Sequence, residues 1–322
     1  MAKKKSVRKQ VLATGIAIAS CWVPSQVQAA SFSQIVVFGD SLSDTGNMFE
    51  ATGIPPSPPY YEGRFSNGPV WVDYLAEDLG LSSDRRTNYA FGGATTGSEN
   101  TTQLPASVPP LPGLQQQLNS FTATNTTADP NALYVVWAGA NDYLGGNITD
   151  PTVPVNNLTS TVSTLSNYGA KNILVANLPD LGQIPATSNN PQIAGNLNVL
   201  SEFHNIGLTN SLDILSQQTD TNIISLDVNS LFRRAIANPS EFGLTNVTDA
   251  CLTQAGVCSN PNQYLFWDTI HPTTVVHELV GEAALSSLKS EAVPEPTVGL
   301  GILALATLGA YSYKKGVGTR DS

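Results

Sequence analysis

A serine hydroxyl becomes a useful nucleophile only when a nearby base removes its proton. The sequence offers three candidate histidine bases: His204, His271 and His277. His204 lies in Glu202-Phe203-His204-Asn205 and His277 in Val275-Val276-His277-Glu278, both within helix-like stretches where a packing or surface role is expected. His271 differs, because it sits in Trp267-Asp268-Thr269-Ile270-His271-Pro272-Thr273. Pro272 disfavours helix at the residue before it, so His271 belongs to a loop that runs into the last helix. Asp268, three residues earlier, can accept from one ring nitrogen while the other faces outward, which is how a base is oriented in a catalytic triad. Read instead as a metal pair, Asp268 and His271 lack a third ligand nearby.

The serine that such a base would serve is Ser41, in Phe38-Gly39-Asp40-Ser41-Leu42-Ser43-Asp44-Thr45-Gly46-Asn47. An apolar, β-branched run at 34–38 precedes it, and Gly39 permits a sharp turn. Ser41 therefore stands at the carboxyl end of a buried strand, where α/β sheets bind ligands. An Asp-Ser pair after a strand also reads as a turn or a helix cap. Asp40 and Asp44 are expected to brace and cap this loop, with tuning of the site as the alternative. Acyl transfer further needs donors aimed at a developing oxyanion, each worth roughly 10²–10³ in rate. Two later segments offer them: Asn88-Tyr89-Ala90-Phe91-Gly92-Gly93-Ala94, with an exposed glycine N–H, and Gly139-Ala140-Asn141-Asp142, with a side-chain amide. Each of these alone reads equally as a turn or an Asx-turn.

These groups meet only if the fold brings three strand ends together. Buried-strand candidates are 35–39, 87–91, 133–138, 172–177 and 222–227, with helices over 69–79, 155–168, 193–217 and 274–289. Alternating strands and helices imply a parallel sheet covered on both faces. Five strands fit a three-layer, flavodoxin-like α/β fold of order 2-1-3-4-5, with the first three strand ends at one crevice. Two proline-rich loops, 55–61 and 100–112, are expected to overlook that crevice, either as pocket wall or as plain connection.

Taken together, the segments resemble the blocks of the GDSL esterase/lipase family within the SGNH hydrolases. The blocks are Gly39-Asp40-Ser41-Leu42, Asn88 through Ala94, Gly139-Ala140-Asn141-Asp142 and Asp268-Thr269-Ile270-His271-Pro272. Gly63-Arg64-Phe65-Ser66-Asn67-Gly68, Asn177-Leu178-Pro179-Asp180-Leu181-Gly182 and Phe203-His204-Asn205-Ile206-Gly207-Leu208 are similar to stretches of the same family, with Asp180 standing where many relatives have proline. The resemblance implies ester hydrolysis without metal or cofactor: Ser41 as nucleophile, His271 as base, Asp268 as its orienter, and an oxyanion hole of the Ser41 and Gly93 N–H groups with the Asn141 amide. A surface binding module whose catalysis has lapsed is the competing reading. A small acyl ester, a lipid and an acetylated glycan all remain open as substrate.

The two ends of the sequence read as addresses. Residues 1–29 carry Lys3, Lys4, Lys5, Arg8 and Lys9, then a short apolar run and a Val27-Gln28-Ala29 cleavage site, as in an export signal. Ile18-Ala19-Ser20-Cys21 also resembles a lipoprotein box. Residues 293–322 open with Val293-Pro294-Glu295-Pro296, continue as an apolar stretch and reach Lys314 and Lys315. This resembles a PEP-CTERM sorting tail, which implies an exosortase-type partner; a plain single-span anchor is the alternative. The hydrolase domain is then 30–292, and the protein is exported. The chain has 15 Lys+Arg against 25 Asp+Glu, and the signal holds 5 of the former and none of the latter, leaving 10 − 25 = −15. So acidic a surface argues against nucleic acid as a partner. Cys251 and Cys258 are positioned to close a small loop in an oxidising compartment, although spacing leaves the disulfide open.

Overall fold

Four short apolar runs pair in parallel at the centre of the fold: β1 (Ile35–Gly39), β2 (Leu133–Trp137), β3 (Asn172–Ala176) and β4 (Asn222–Leu226), in the order β1-β2-β3-β4. The structure is a computed structural model and describes residues 32–82, 87–105 and 108–291. The expected export signal at 1–29 and sorting tail at 293–322 lie outside the described residues. No helix among the described residues is long and apolar enough to cross a membrane.

Side chains alternate across a strand, and both faces of this sheet are apolar. Ile35, Val37, Val135 and Trp137 face one layer, formed by α2 (Trp71–Asp78), α8 (Val228–Ala237) and α9 (Thr274–Glu291). Val36, Phe38, Tyr134 and Val136 face the other, formed by α3 (Leu114–Thr124), α5 (Thr152–Asn167) and α7 (Pro191–Ser216). Three short helices complete the set among the described residues: α1 (Asn47–Thr52), α4 (Ala140–Leu144) and α6 (Pro185–Ser188). The result is the expected three-layer α/β arrangement. The four expected helices are present as α2, α5, α7 and α9 to within a few residues, whereas α1, α3, α4, α6 and α8 are additional.

The sheet has four strands, not the expected five in the order 2-1-3-4-5. Residues 87–91 do lie beside β1, with Val37 N–H donating to Thr87 O (2.9 Å) and Tyr89 N–H to Val37 O (2.7 Å), but they pair at the single position Val37–Asn88. The next rung of a parallel ladder would send the Gly39 N–H to the carbonyl of Tyr89. Gln117 of α3, 2% exposed, takes that place. Its Oε1 accepts from Gly39 N–H (2.9 Å) and its Nε2 donates to Gly39 O (2.8 Å), so a side-chain amide stands in for a peptide unit. On the outer side, Asn47 Nδ2 donates to Asn88 O (2.8 Å) and Ala90 O (2.9 Å). Gln117 thus takes only the Gly39 N–H from the ladder; Phe91 N–H still donates to Gly39 O (3.1 Å), and the segment then turns at Gly92-Gly93 instead of continuing as a strand.

Between α8 and α9 the chain forms two small pairs. β5 (Asn246–Ala250) runs parallel to β8 (Tyr264–Phe266), and β6 (Leu252–Thr253) pairs with β7 (Gly256–Val257) as a hairpin. Cys251 and Cys258 form a disulfide at the hairpin base, which settles the pairing that spacing left open. The same hairpin touches the loop that carries His271, since Leu252 N–H donates to Trp267 O (2.6 Å). Replacing both cysteines by serine is expected to lower stability by about 2 kcal/mol, the loop-entropy value for so short a ring. A urea titration checks this through a lower midpoint at unchanged slope.

Candidate active site

Ser41 follows β1 by two residues and is 8% exposed. Ser43 and Asp44 N–H both donate to Asp40 O (3.0 Å each), winding one turn around the serine. Gly39 is required at the entry to that turn, because a Cβ there would stand 2.5 Å from Trp137 O. His271 Nε2 lies 2.8 Å from Ser41 Oγ. Its Nδ1 lies 2.7 Å from Asp268 Oδ2 and 3.0 Å from Oδ1. Asp268 Oδ1 also accepts the N–H groups of Ile270 (2.8 Å) and His271 (2.7 Å), and Oδ2 accepts the Tyr60 hydroxyl (2.7 Å). Burial pushes the Asp268 carboxyl up, but the His271 imidazole and these hydrogen bonds outweigh it and hold the group well below the usual carboxylate range. The three residues thus form a continuous chain of hydroxyl, imidazole and carboxylate.

The Gly63–Gly68 block supports this chain from below. Arg64 pairs with both carboxylate oxygens of Asp73 in α2 (2.6 and 2.9 Å). Phe65 lies against the His271 ring, with centroids 5.0 Å apart. Ser66 Oγ donates to Pro272 O (2.9 Å), and Asn67 Oδ1 caps α9 by accepting Thr274 N–H (2.8 Å). At Gly68 a Cβ would collide with Thr274 Oγ1 at 2.5 Å. Tyr60 and Phe65 were not singled out by sequence reasoning, because their partners lie some 200 residues away and no local pattern marks the pairing.

The 92–94 segment links the candidate oxyanion residues Gly93 and Asn141 to the turn that carries Ser41. Ser41 N–H and Gly93 N–H donate to nothing among the described residues. Gly93 has φ 77°, in the left-handed region that glycine tolerates, and a Cβ there would lie 2.2 Å from Thr102 Oγ1. Its neighbours fix it on both sides: Gly92 N–H donates to Asp44 Oδ2 (2.9 Å), and Ala94 O accepts Asn141 Nδ2 (3.0 Å). The second Asn141 amide hydrogen has no partner among the described residues. Asp44 also accepts from Gly46, Asn47 and Met48 N–H (2.7–3.1 Å), the capping role expected of it. Asp40 accepts Leu42 N–H (3.0 Å), and burial raises its carboxyl to about 7, with the His271 charge acting the other way.

Ser41 and Asn141 stand at the edge of an apolar pocket of about 500 Å³, open mouth included. Leu42, Trp137, Leu144, Leu181, Ile184 and Phe232 line it, with Ile270 and Pro272 from the His271 loop. Among the described residues, neither proline-rich loop supplies a lining residue. His204 and His277 are both fully buried. His204 Nδ1 bonds to the Tyr143 hydroxyl (2.9 Å), and burial lowers its pKa to about 4. His277 Nδ1 accepts Trp71 N–H (3.3 Å) at the start of α2, and burial lowers its pKa to about 3. Asp180 is bound to Arg233 (2.7 and 2.9 Å).

A three-layer α/β fold with this site defines an ester-cleaving type of hydrolase. The profile described as GDSL-like lipase/acylhydrolase matches residues 35–284, and the chain belongs to that family. The phosphatidylcholine-sterol acyltransferase of Aeromonas hydrophila is 32% identical to it, over 82% of this chain and 94% of the relative. A GDSL esterase/lipase of Arabidopsis thaliana is 27% identical, over 80% and 92%. Among solved structures, a carbohydrate acetylesterase from Sinorhizobium meliloti superposes with a TM-score of 0.45 at 17% identity, over 80% of this chain and 98% of that one.

The raised Asp40 carboxyl has a consequence for stability. An unfolded aspartate ionises near pH 4, so between there and about 7 the unfolded chain holds fewer protons and stability falls as pH rises. The variant Asp40→Asn lacks this penalty. Its advantage in thermal unfolding is expected to widen from pH 4.5 to pH 7.5, by on the order of 1 kcal/mol per pH unit.

Proposed function

We propose that this protein is an exported serine ester hydrolase that works through an acyl-enzyme intermediate. The reading rests above all on the unbroken chain from Ser41 Oγ through His271 to Asp268 Oδ2, with links of 2.8 and 2.7 Å. His271 Nε2 takes the Ser41 proton as the oxygen attacks the ester carbonyl. Asp268 holds the Nδ1–H tautomer and balances the imidazolium. The carbonyl oxygen, now negative, faces the Ser41 and Gly93 N–H groups and the Asn141 amide. His271 returns the proton to the departing alcohol, then activates water for the second half.

The pocket beside Ser41 supports an acyl chain over a bare acetyl group, since its walls carry far more apolar carbon than an acetyl methyl would cover. A relative named for phosphatidylcholine and sterol supports a lipid ester in the same direction. The basic head and apolar run at 1–29 support export, and the Cys251–Cys258 disulfide is consistent with an oxidising compartment. The Val293-Pro294-Glu295-Pro296 tail would then be handled by an exosortase-type sorting enzyme.

A fluorophosphonate probe should label the protein at Ser41 and leave Ser41→Ala unlabelled. His271→Ala should lose at least about 10³-fold in kcat on a p-nitrophenyl ester while keeping its thermal transition. Hydrolysis by His271→Ala at the parental rate would overturn the assignment of the base, and a protein inert to both probe and ester would be a binding module. Across p-nitrophenyl esters of increasing chain length, kcat/KM should peak beyond acetyl.

A further inference from the structure

We propose that Tyr60 is a positioning residue of this site, setting through Asp268 how strongly His271 holds the Ser41 proton; the proposal rests on the ester-hydrolase reading. The 55–61 loop was expected to be pocket wall or plain connection, and it lines no part of the pocket. It reaches the site from behind, where the Tyr60 hydroxyl donates to Asp268 Oδ2 at 2.7 Å. That same oxygen accepts from His271 Nδ1 at 2.7 Å. Two donors therefore share one carboxylate oxygen, while two backbone N–H groups occupy the other.

The arrangement has two effects. Pinned at both oxygens, the carboxylate cannot rotate about its Cβ–Cγ bond, so the imidazole keeps one orientation. Each added donor also draws charge from the carboxylate, and a weaker negative charge stabilises the imidazolium less. Tyr60 thus fixes the base and moderates it. Its own proton is secure, because burial and then the Asp268 charge both push the phenol upward. The ring is held edge-on between Phe65 and Trp267, at centroid distances of 6.3 and 6.2 Å, and Phe65 continues onto His271. The other titratable groups sensed here are Asp40, beside Ser41, and His277, from α9; both interact with His271 through charge and neither bonds to Asp268.

The test is Tyr60→Phe, which keeps the ring contacts and removes only the hydroxyl. Fluorophosphonate titration counts active sites in each preparation, so partial misfolding does not enter the rates. The acid limb of kcat/KM against pH, measured on a p-nitrophenyl ester, should move to higher pH by roughly half a unit. At the plateau kcat should fall roughly threefold to tenfold, as for loss of one hydrogen bond, with KM unchanged. A purely structural tyrosine would leave the acid limb where it is, and an unmoved limb overturns the proposal even if kcat falls. The two failures separate cleanly: Ser41→Ala retaining activity sinks the hydrolase reading, whereas an inactive Ser41→Ala beside an unshifted Tyr60→Phe sinks only the role of Tyr60.

Discussion

The hydrogen bond from Ser41 to His271 joins residues 230 positions apart, and most of the fold serves to hold its two ends in register. The serine end is fixed by β1, whose five residues are all buried, and by the turn beyond it. Trp71 Nε1–H donates to Ser43 Oγ (3.1 Å) and Asn88 Nδ2 to Ser43 O (2.8 Å), so α2 and the 88–94 segment both grip that turn. The histidine end is fixed by α9 and by the 60–74 segment beneath it. Because α2 reaches both ends, an error in one would pass to the other through a packed helix and not through a flexible loop. A hydroxyl and an imidazole only 2.8 Å apart tolerate little slack, and a rigid intermediary is the economical way to meet that demand.

Electrostatics divides the site's two acidic neighbours into different states. Asp268 accepts from four donors, the Tyr60 hydroxyl, the Ile270 and His271 N–H groups and His271 Nδ1, and is held well below the usual carboxylate range. Asp40 is more deeply buried, receives one N–H donor on its side chain, and is raised to about 7. Burial dominates where donors are few, and donors dominate where they are many. One carboxylate therefore faces the imidazole as an acceptor, while the other, raised to about 7, borders the apolar pocket.

Much of this was readable in the residues themselves. The apolar runs at 35–39, 133–138, 172–177 and 222–227 contain little that favours anything but a strand, and each became one within a residue or so. Pro272 marked the His271 loop, and Asp268 lay within one turn of it. What escaped was settled by partners distant in sequence. The 87–91 run is apolar enough for a strand, yet Gln117 takes the Gly39 N–H from its ladder and Asn47 covers its outer carbonyls, and neither choice is visible locally. α3 reads Leu-Gln-Gln-Gln-Leu-Asn-Ser-Phe-Thr-Ala-Thr, too polar to announce a helix, because one of its buried positions is the glutamine that completes the sheet. The Gly63–Gly68 block had no function in sequence; three-dimensional contact gives each of its side chains a partner in α2, the His271 loop or α9.

The replacement of a fifth strand by a glutamine side chain bears on the chemistry. A continuous edge strand would carry the 88–91 backbone straight past Gly39, and its next residues would leave the sheet along the strand axis. Gln117 takes the Gly39 N–H, the bond from Phe91 N–H to Gly39 O is the last rung, and the chain then turns at Gly92-Gly93. The turn leaves the Gly93 N–H without a partner among the described residues and ties Ala94 to Asn141. Gly93 is only partly buried, so its N–H is an open donor and not a stranded one. Under the proposed hydrolase reading, the oxyanion of an ester under attack is the ligand that would take it. On that reading the sheet breaks off where one more rung would have occupied the donor.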